Sequence, residues 1–405
     1  MRVQADPVET SASQPAAQLA SPACDARAGD APLPLDDVIA EIAARRGEFE
    51  SKGHVPRDVI AMLKRAGIYR AGTPSRFGGD ALAPAIFLDM IERIAVADGS
   101  AAWVASFGSS NAYLAALPLQ TQALLYANGP DQVFAGGLFP VQSAAAVAGG
   151  YRVNGTWKFA SGCMGADWLG VGISVPEASD AARGGKPRVA VFRPEQVEIV
   201  ENWKVVGMQG TGSHDLRVVD GLVEEGWTFV RGAAPLVEEP LYRYPTIAYA
   251  AQVLAVVNLG LARAALDVLN GMGGGRKAFT GAPQLADRAY FRIGLGKAET
   301  KLRACRGFFY ETTQSVWASI LTGAPVTPEQ VNLLRLSATE AAQAGADIVQ
   351  EAYRLAGIAA IYQSHPLQRL VRDSLVVTQH AFLGQGNYEA AGAVFAGRTP
   401  FPGYL

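Results

Sequence analysis

Cysteine is scarce. Only Cys24, Cys163 and Cys305 occur in 405 residues, and none stands in the C-x-x-C or C-x-x-H spacing of a metal or redox pair. That usage argues against a disulfide framework and a metal site, and it fits a reducing compartment such as the cytoplasm. An excess of charge of either sign is also lacking. Lys and Arg number 35 against 37 Asp and Glu, and the net charge of −2 leaves no basic field for nucleic acid or an anionic membrane. The most apolar run, Ile247 to Leu269, is interrupted by Gln252, Asn258, Arg263 and Asp267, so it reads as a core helix rather than a membrane span. The triplet Gly273-Gly274-Gly275 lacks a preceding strand and the G-x-G-x-x-G spacing, and no phosphate loop occurs, so no nucleotide-binding motif is visible. Residues 1–34 are rich in Ala, Ser, Pro and Asp without the apolar centre of a signal peptide, and they read as a disordered tail.

What the chain does have is an apolar fraction of 49% with 18% charged residues, the balance of a globular protein with a large core. From Leu35 to residue 130 the apolar spacing is helical, for example Val38, Ile39, Ile42 and Phe49, which predicts an N-terminal α-helical domain. It includes a small, apolar, mostly buried helix over AAWVASFGSSNAYLAALP. Between residues 131 and 245 the period shortens and Gly, Pro and Asn-Gly punctuate short strands, predicting a central antiparallel β-sandwich or barrel. Within it Tyr151–Leu169 reads as a hairpin that turns at Asn154-Gly155, runs on through Trp157 and Phe159, and ends at Ser161-Gly162. From 246 to 405 four long amphipathic patterns predict an antiparallel C-terminal four-helix bundle, the last over HPLQRLVRDSLVVTQHAFLG.

The order helices, β-domain, helical bundle is the layout of the acyl-CoA dehydrogenase fold. The segments VNGTWKFASGCMGADWL, NWKVVGMQGTGSHDL, HPLQRLVRDSLVVTQHAFLG and PFPGYL resemble the two-component flavin-dependent monooxygenases of that fold, from about Leu35 to the end. The resemblance implies a flavin-dependent monooxygenase that takes reduced FMN or FAD from a separate flavin reductase and uses O2, without a metal. A C4a-(hydro)peroxyflavin would then oxygenate a small aromatic or heteroaromatic substrate. It further implies a homotetramer. Many acyl-CoA dehydrogenases carry a catalytic glutamate eight residues after the Asp of an Arg-Asp pair. Here that position is Ala381, and its neighbour His380 falls where the monooxygenase branch has a catalytic histidine.

His380 is accordingly the candidate acid/base, since an unperturbed pKa of about 6.5 suits proton transfer near neutrality. Its plainer reading is a buried histidine bonded to a backbone carbonyl. Ser161 is either a turn serine or, by resemblance, the group that meets the flavin N5 edge through its hydroxyl or backbone N–H. Gly162, Trp157, Trp203 and Arg276 complete the cofactor candidates, with Arg276 directed at the flavin phosphate or else a solvated loop residue. Phe107, Ser110 and Asn111 line the substrate side by analogy. Two other functions stay open: an acyl-CoA dehydrogenase whose base has moved to Glu389, and a catalytically silent flavin-fold binding protein.

Overall fold

The structure, a computed structural model, describes residues 31–175, 187–273 and 283–405. The expected tail therefore lies outside the described residues over 1–30, as does Arg276.

Helix α1 (Leu35–Lys52) starts after Pro34, carries Asp36 and Asp37 in its first turn and Lys52 in its last, charges that complement the helix dipole. Val38, Ile42 and Phe49 are its buried face. Helix α2 (Arg57–Arg65) follows Pro56, and α3 (Pro84–Ala97) begins on its own proline. Asp98 then caps α4 (Gly99–Ala105) by accepting from the Ala101 N–H at 2.9 Å. The single helix expected after Gly99 breaks here. A 3-10 turn, Ser106–Ser110, separates α4 from the short α5 (Asn111–Leu114), and α6 (Leu119–Leu125) closes the layer. The cause is local: the Ser106 and Ser109 hydroxyls donate to the Trp103 and Ser106 carbonyls at 2.7 and 2.8 Å, competing with the helical ladder.

Seven strands form one sheet in the order β5-β6-β2-β1-β3-β4-β7: β1 (Phe134–Val147), β2 (Gly150–Ala160), β3 (Trp168–Ser174), β4 (Arg188–Phe192), β5 (Glu198–Val200), β6 (His214–Glu224) and β7 (Thr228–Val230). All pairings are antiparallel except β1 with β3, which run parallel because β2 returns on one side of β1 and the chain crosses to the other. The hairpin turn is not at Asn154-Gly155. It is at Ala148-Gly149, between the paired Val147 and Gly150, where Gly149 adopts a φ of 80°. Asn154-Gly155 instead interrupts the register of β2 against β6, a bulge held by the Asp220 N–H donating to Asn154 Oδ1 at 2.6 Å. An extended pair of residues with a side-chain acceptor serves a bulge as readily as a turn.

The C-terminal layer comprises α7 (Thr246–Gly273), α8 (Ala289–Leu321), α9 (Pro328–Ala356), α10 (Pro366–Thr378) and a further short helix, α11 (Gly386–Phe395). Helix α7 is long and apolar enough to cross a membrane, yet it is buried on nearly every side against α3, α9 and α10. Asn258 at its centre donates to the Ala342 carbonyl of α9 at 2.6 Å and to the Ser374 carbonyl of α10 at 3.1 Å, so one buried amide fixes three helices. The final residues dock on α9: the Tyr404 hydroxyl donates to Asn332 Oδ1 at 2.9 Å, and Arg335 donates to the Tyr404 carbonyl at 3.2 Å.

Candidate active site

Strand β2 ends at Ala160 and delivers Ser161 to the seam between the sheet and α4. Gly162 follows with a left-handed φ of 75°, which lets the chain turn at once, and a Cβ there would lie 3.3 Å from Val104 and 3.7 Å from Phe107. The Ser161 N–H is already bound to the Phe159 carbonyl at 2.9 Å, so only its hydroxyl is free to meet a ligand.

That hydroxyl belongs to a chain of groups. Thr211 Oγ1 donates to the Met208 carbonyl at 2.8 Å, and Ser213 Oγ lies 2.7 Å from Thr211 Oγ1 and 2.6 Å from Ser161 Oγ. Since Thr211 has spent its proton, Ser213 donates to Thr211 and Ser161 donates to Ser213. Ser161 Oγ accepts from Trp103 Nε1 at 3.2 Å, which leaves it an acceptor site. The Trp103 ring, on α4, meets His380 edge to face with centroids 5.8 Å apart. His380 and Ser161, 219 positions apart in the chain, are thus joined through one indole.

His380 does not lie on the helix the spacing predicts. Helix α10 stops at Thr378, and His380 stands in the following turn, half-buried, packed on the Phe382 ring at 5.0 Å. Its Nδ1 accepts from the Phe382 N–H at 3.2 Å, so the neutral ring carries its proton on Nε2. Burial, and then the positive charge of Arg231, push its pKa down to about 4. A neutral Nε2–H donor is therefore the form this environment holds. The plainer reading, a ring donating to a backbone carbonyl, is not what the structure has: the backbone donates to the ring.

The loop before β6 is tied to the same helix. Asp373 on α10 accepts the Met208 N–H at 2.5 Å, and its burial pushes the carboxyl up to about 7, with Asp98 adding to the push. Beside this loop stand Phe159 and Trp203, edge to face at 6.3 Å, the latter donating Nε1 to the Met208 carbonyl at 3.2 Å. Phe159 combines a left-handed φ of 62° with 66% exposure. A non-glycine residue held so costs about 1–2 kcal/mol, and presenting an aromatic face to solvent adds nothing to the fold. A planar apolar ring laid beside Phe159, with an edge group at Ser161 Oγ, would use both features, so the residues present fit a flavin.

Of the residues expected from sequence, His380, Ser161, Gly162, Phe107 and Trp203 come together. Trp157 does not: it is fully buried, and its Nε1 donates to the Gly172 carbonyl at 2.7 Å, because β2 alternates and Trp157 points into the core. Asn111 is also a core tie, its amide donating to the Tyr69 and Gln132 carbonyls at 2.7 and 3.1 Å, and Ser110 is buried in the 3-10 turn. Trp103, Phe159, Thr211, Ser213 and Arg231 were not expected. Phe159 at the end of the hairpin segment, and Thr211 and Ser213 in NWKVVGMQGTGSHDL, stand within stretches that carried the resemblance, whereas Arg231 stands in none of them.

A hydroxyl chain and a neutral histidine, set where helical layers enclose a small sheet, define a class: the chain belongs to the two-component flavin-dependent monooxygenases of the acyl-CoA dehydrogenase fold. Residues 252–385 match the family described as acyl-CoA dehydrogenase, C-terminal domain. The chain is 52% identical over 386 residues to the indole-3-acetate monooxygenase of Pseudomonas putida, covering 95% of this chain and 98% of that one. It is 27% identical to the oxygenase subunit HsaA, a flavin-dependent monooxygenase of Rhodococcus jostii, covering 86% and 93%. The crystal structure of a 3-HSA hydroxylase from a Rhodococcus species superposes with a TM-score of 0.83 at 25% identity, over 92% of this chain and 97% of that one. The protein is an oxidoreductase that uses reduced flavin and O2 on a small aromatic or heteroaromatic substrate, with the flavin supplied by a separate reductase. The dehydrogenase alternative fails on its own residue as well, since Glu389 is exposed on α11.

Proposed function

We propose that the protein oxygenates indole-3-acetate or a closely related arylacetate. The identity of 52% across almost the whole of both chains supports that substrate. One geometric observation carries the roles: the unbroken line His380, Trp103, Ser161, Ser213, Thr211. Phe159 and Trp203 would hold the ring of reduced FMN or FAD, Gly162 would leave room for it beside the backbone, and Ser161 Oγ would offer it a hydrogen-bond acceptor. Bound flavin supplies the two electrons and the site at which O2 is activated. Trp103 and Phe382 fix the His380 ring, and the Phe382 N–H on Nδ1 keeps the proton on Nε2, where it is held for an oxygen atom of the reacting species. His380 is in this reading a proton donor that stays neutral rather than a base. The buried aromatic walls exclude water from that proton.

The test is direct. Purified protein, reduced FMN or FAD, O2 and indole-3-acetate should yield a product heavier by one oxygen atom, read by mass spectrometry with isotopically labelled O2. Absence of label in any indole product sinks the reading. A homotetramer in the cytoplasm is the assembly and setting that fit the family resemblance, and light scattering reads the former as four times the chain mass.

A further inference from the structure

The flank of the site at Phe382 is cationic, and no ion pair among the described residues neutralises it. Arg231 is the first residue after β7, in a turn closed by the Ala233 N–H donating to the Val230 carbonyl at 2.9 Å. Its guanidinium lies over the Phe382 ring at 5.0 Å and the Tyr113 ring at 5.2 Å, half-buried, with Nε enclosed and without a hydrogen-bond partner. Phe382 is the same ring that packs on His380 at 5.0 Å. On its other flank Arg335, 2% exposed, lies 5.8 Å from the Phe382 centroid. Arg335 donates only to neutral oxygens, the Tyr404 carbonyl at 3.2 Å and Asn387 Oδ1 at 3.1 Å. Burial, and then the Arg231 charge, lower the pKa of Arg335. Two guanidinium groups therefore share one aromatic ring, and no ion pair among the described residues includes either.

A buried cation without a counter-ion is costly, and proteins retain such an arrangement where a ligand supplies the anion. Arg335 has committed one nitrogen to the Tyr404 carbonyl and one to Asn387 of α11. Arg231 faces a neutral side-chain partner, the Tyr113 hydroxyl, with Nε unpartnered, and its planar fork matches a carboxylate. We propose that Arg231 binds the carboxylate of the substrate and thereby sets a preference for anionic arylacetates over their neutral counterparts. This rests on the reading of the site as an arylacetate oxygenase and adds the residue that recognises the acetate arm. The aromatic body of the substrate then lies toward Phe382, His380 and Trp103, which places the ring to be oxygenated beside the Nε2 proton.

Wild type, Arg231→Met and Arg231→Lys are compared on indole-3-acetate and on indole-3-acetamide, which keeps the shape and removes the charge. kcat/KM is measured with reduced FMN and O2, and binding of both ligands and of FMN by calorimetry. Wild type should prefer the acetate, and Arg231→Met should cut that preference roughly 10- to 100-fold, chiefly through KM for the acetate. Arg231→Lys, which keeps the charge and loses the fork, should fall between the two. An unchanged preference in Arg231→Met, or an equal loss on both ligands, overturns the proposal. Weakened FMN binding with the preference intact also overturns it, because Arg231 would then serve the flavin phosphate. If wild type oxygenates neither compound but calorimetry shows a charge preference that Arg231→Met abolishes, the proposed function falls and the anion site stands.

Discussion

At the scale of single residues the site depends on where protons are held. His380 is kept neutral by burial and by Arg231, with a pKa of about 4, so it should not titrate between pH 5.5 and 8. A pH profile of product formation is expected to show no step belonging to His380 in that range and a decline only as pH falls toward 4. His380→Ala should lower product yield per reduced flavin by ~10²–10⁴-fold with flavin affinity retained. His380→Gln, whose amide N–H can stand near the lost Nε2–H, should recover part of it. Equal defects in both variants would argue against the donor role. Asp373 gives a second pH dependence, of opposite kind. Its folded pKa, about 7, lies above the unfolded value of roughly 3.9, so between those limits the folded state holds a proton that the unfolded chain releases. Its contribution is present below about pH 4 and is lost as pH rises through 7. Asp373→Asn keeps an oxygen for the Met208 N–H and should remove that fall, gaining of order a few kcal/mol relative to wild type at pH 8 compared with pH 5. Thermal unfolding at the two pH values measures it, and parallel changes in both proteins would refute it. His380 and Ser161 were legible in the sequence through the resemblance of their segments. Arg231 was not, because its meaning comes from Tyr113 and Phe382, which only the fold brings beside it.

At the scale of elements, legibility followed how local the determining interaction is. Helices α1, α2 and α3 declare themselves through proline, acidic first turns and apolar spacing, all within a few residues. The β1–β2 turn was missed because Asn154-Gly155 and Ala148-Gly149 are both acceptable turns in isolation. The choice is made by the pairing of Val147 with Gly150 and by Asp220 on β6, far along the chain. The end of α10 was missed for a similar reason: the apolar spacing runs on to His380, but the His380 ring takes the Phe382 N–H and the chain turns away after Thr378. The crossing of α7 and α9 is equally non-local. A Cβ on Gly345 of α9 would lie 2.6 Å from the Asn258 carbonyl oxygen and 2.8 Å from its Cβ, which are backbone-fixed atoms that cannot step aside. Gly345→Ala is therefore expected to destabilise by ~1–3 kcal/mol despite alanine's higher helix propensity, because the helices must part. Chemical denaturation checks this, and a stabilised variant would show that the crossing is looser than the geometry states. Because α10 hangs on the same Asn258 amide through the Ser374 carbonyl, the substitution should also lower oxygenation beyond what lost stability accounts for.

At the scale of the whole molecule, the reduced flavin comes from a separate reductase. No nicotinamide-binding motif is visible in the sequence of this chain, and its fold devotes one small sheet and two helical layers to a single enclosed line of polar groups. Ser161 Oγ offers an acceptor rather than a donor, since its proton is directed to Ser213, which suits a flavin whose N5 bears hydrogen and disfavours one whose N5 is a bare acceptor. On the proposed role of Ser161, the reduced cofactor should bind more tightly than the oxidised one, and the oxidised product should leave more readily. The expectation that follows is that the reductase acts as a source of reduced flavin, with docking not required for turnover. Flavin reduced chemically or by light under anaerobic conditions, then mixed with the protein, substrate and O2, should support product formation with neither reductase nor nicotinamide present. Calorimetry should show tighter binding of the reduced form, and Ser161→Ala, which removes the acceptor, should shrink that difference by roughly 5- to 30-fold, the worth of one hydrogen bond of about 1–2 kcal/mol. A requirement for the reductase protein itself, or equal affinity for both redox forms in the wild type, would overturn the argument from the hydroxyl chain.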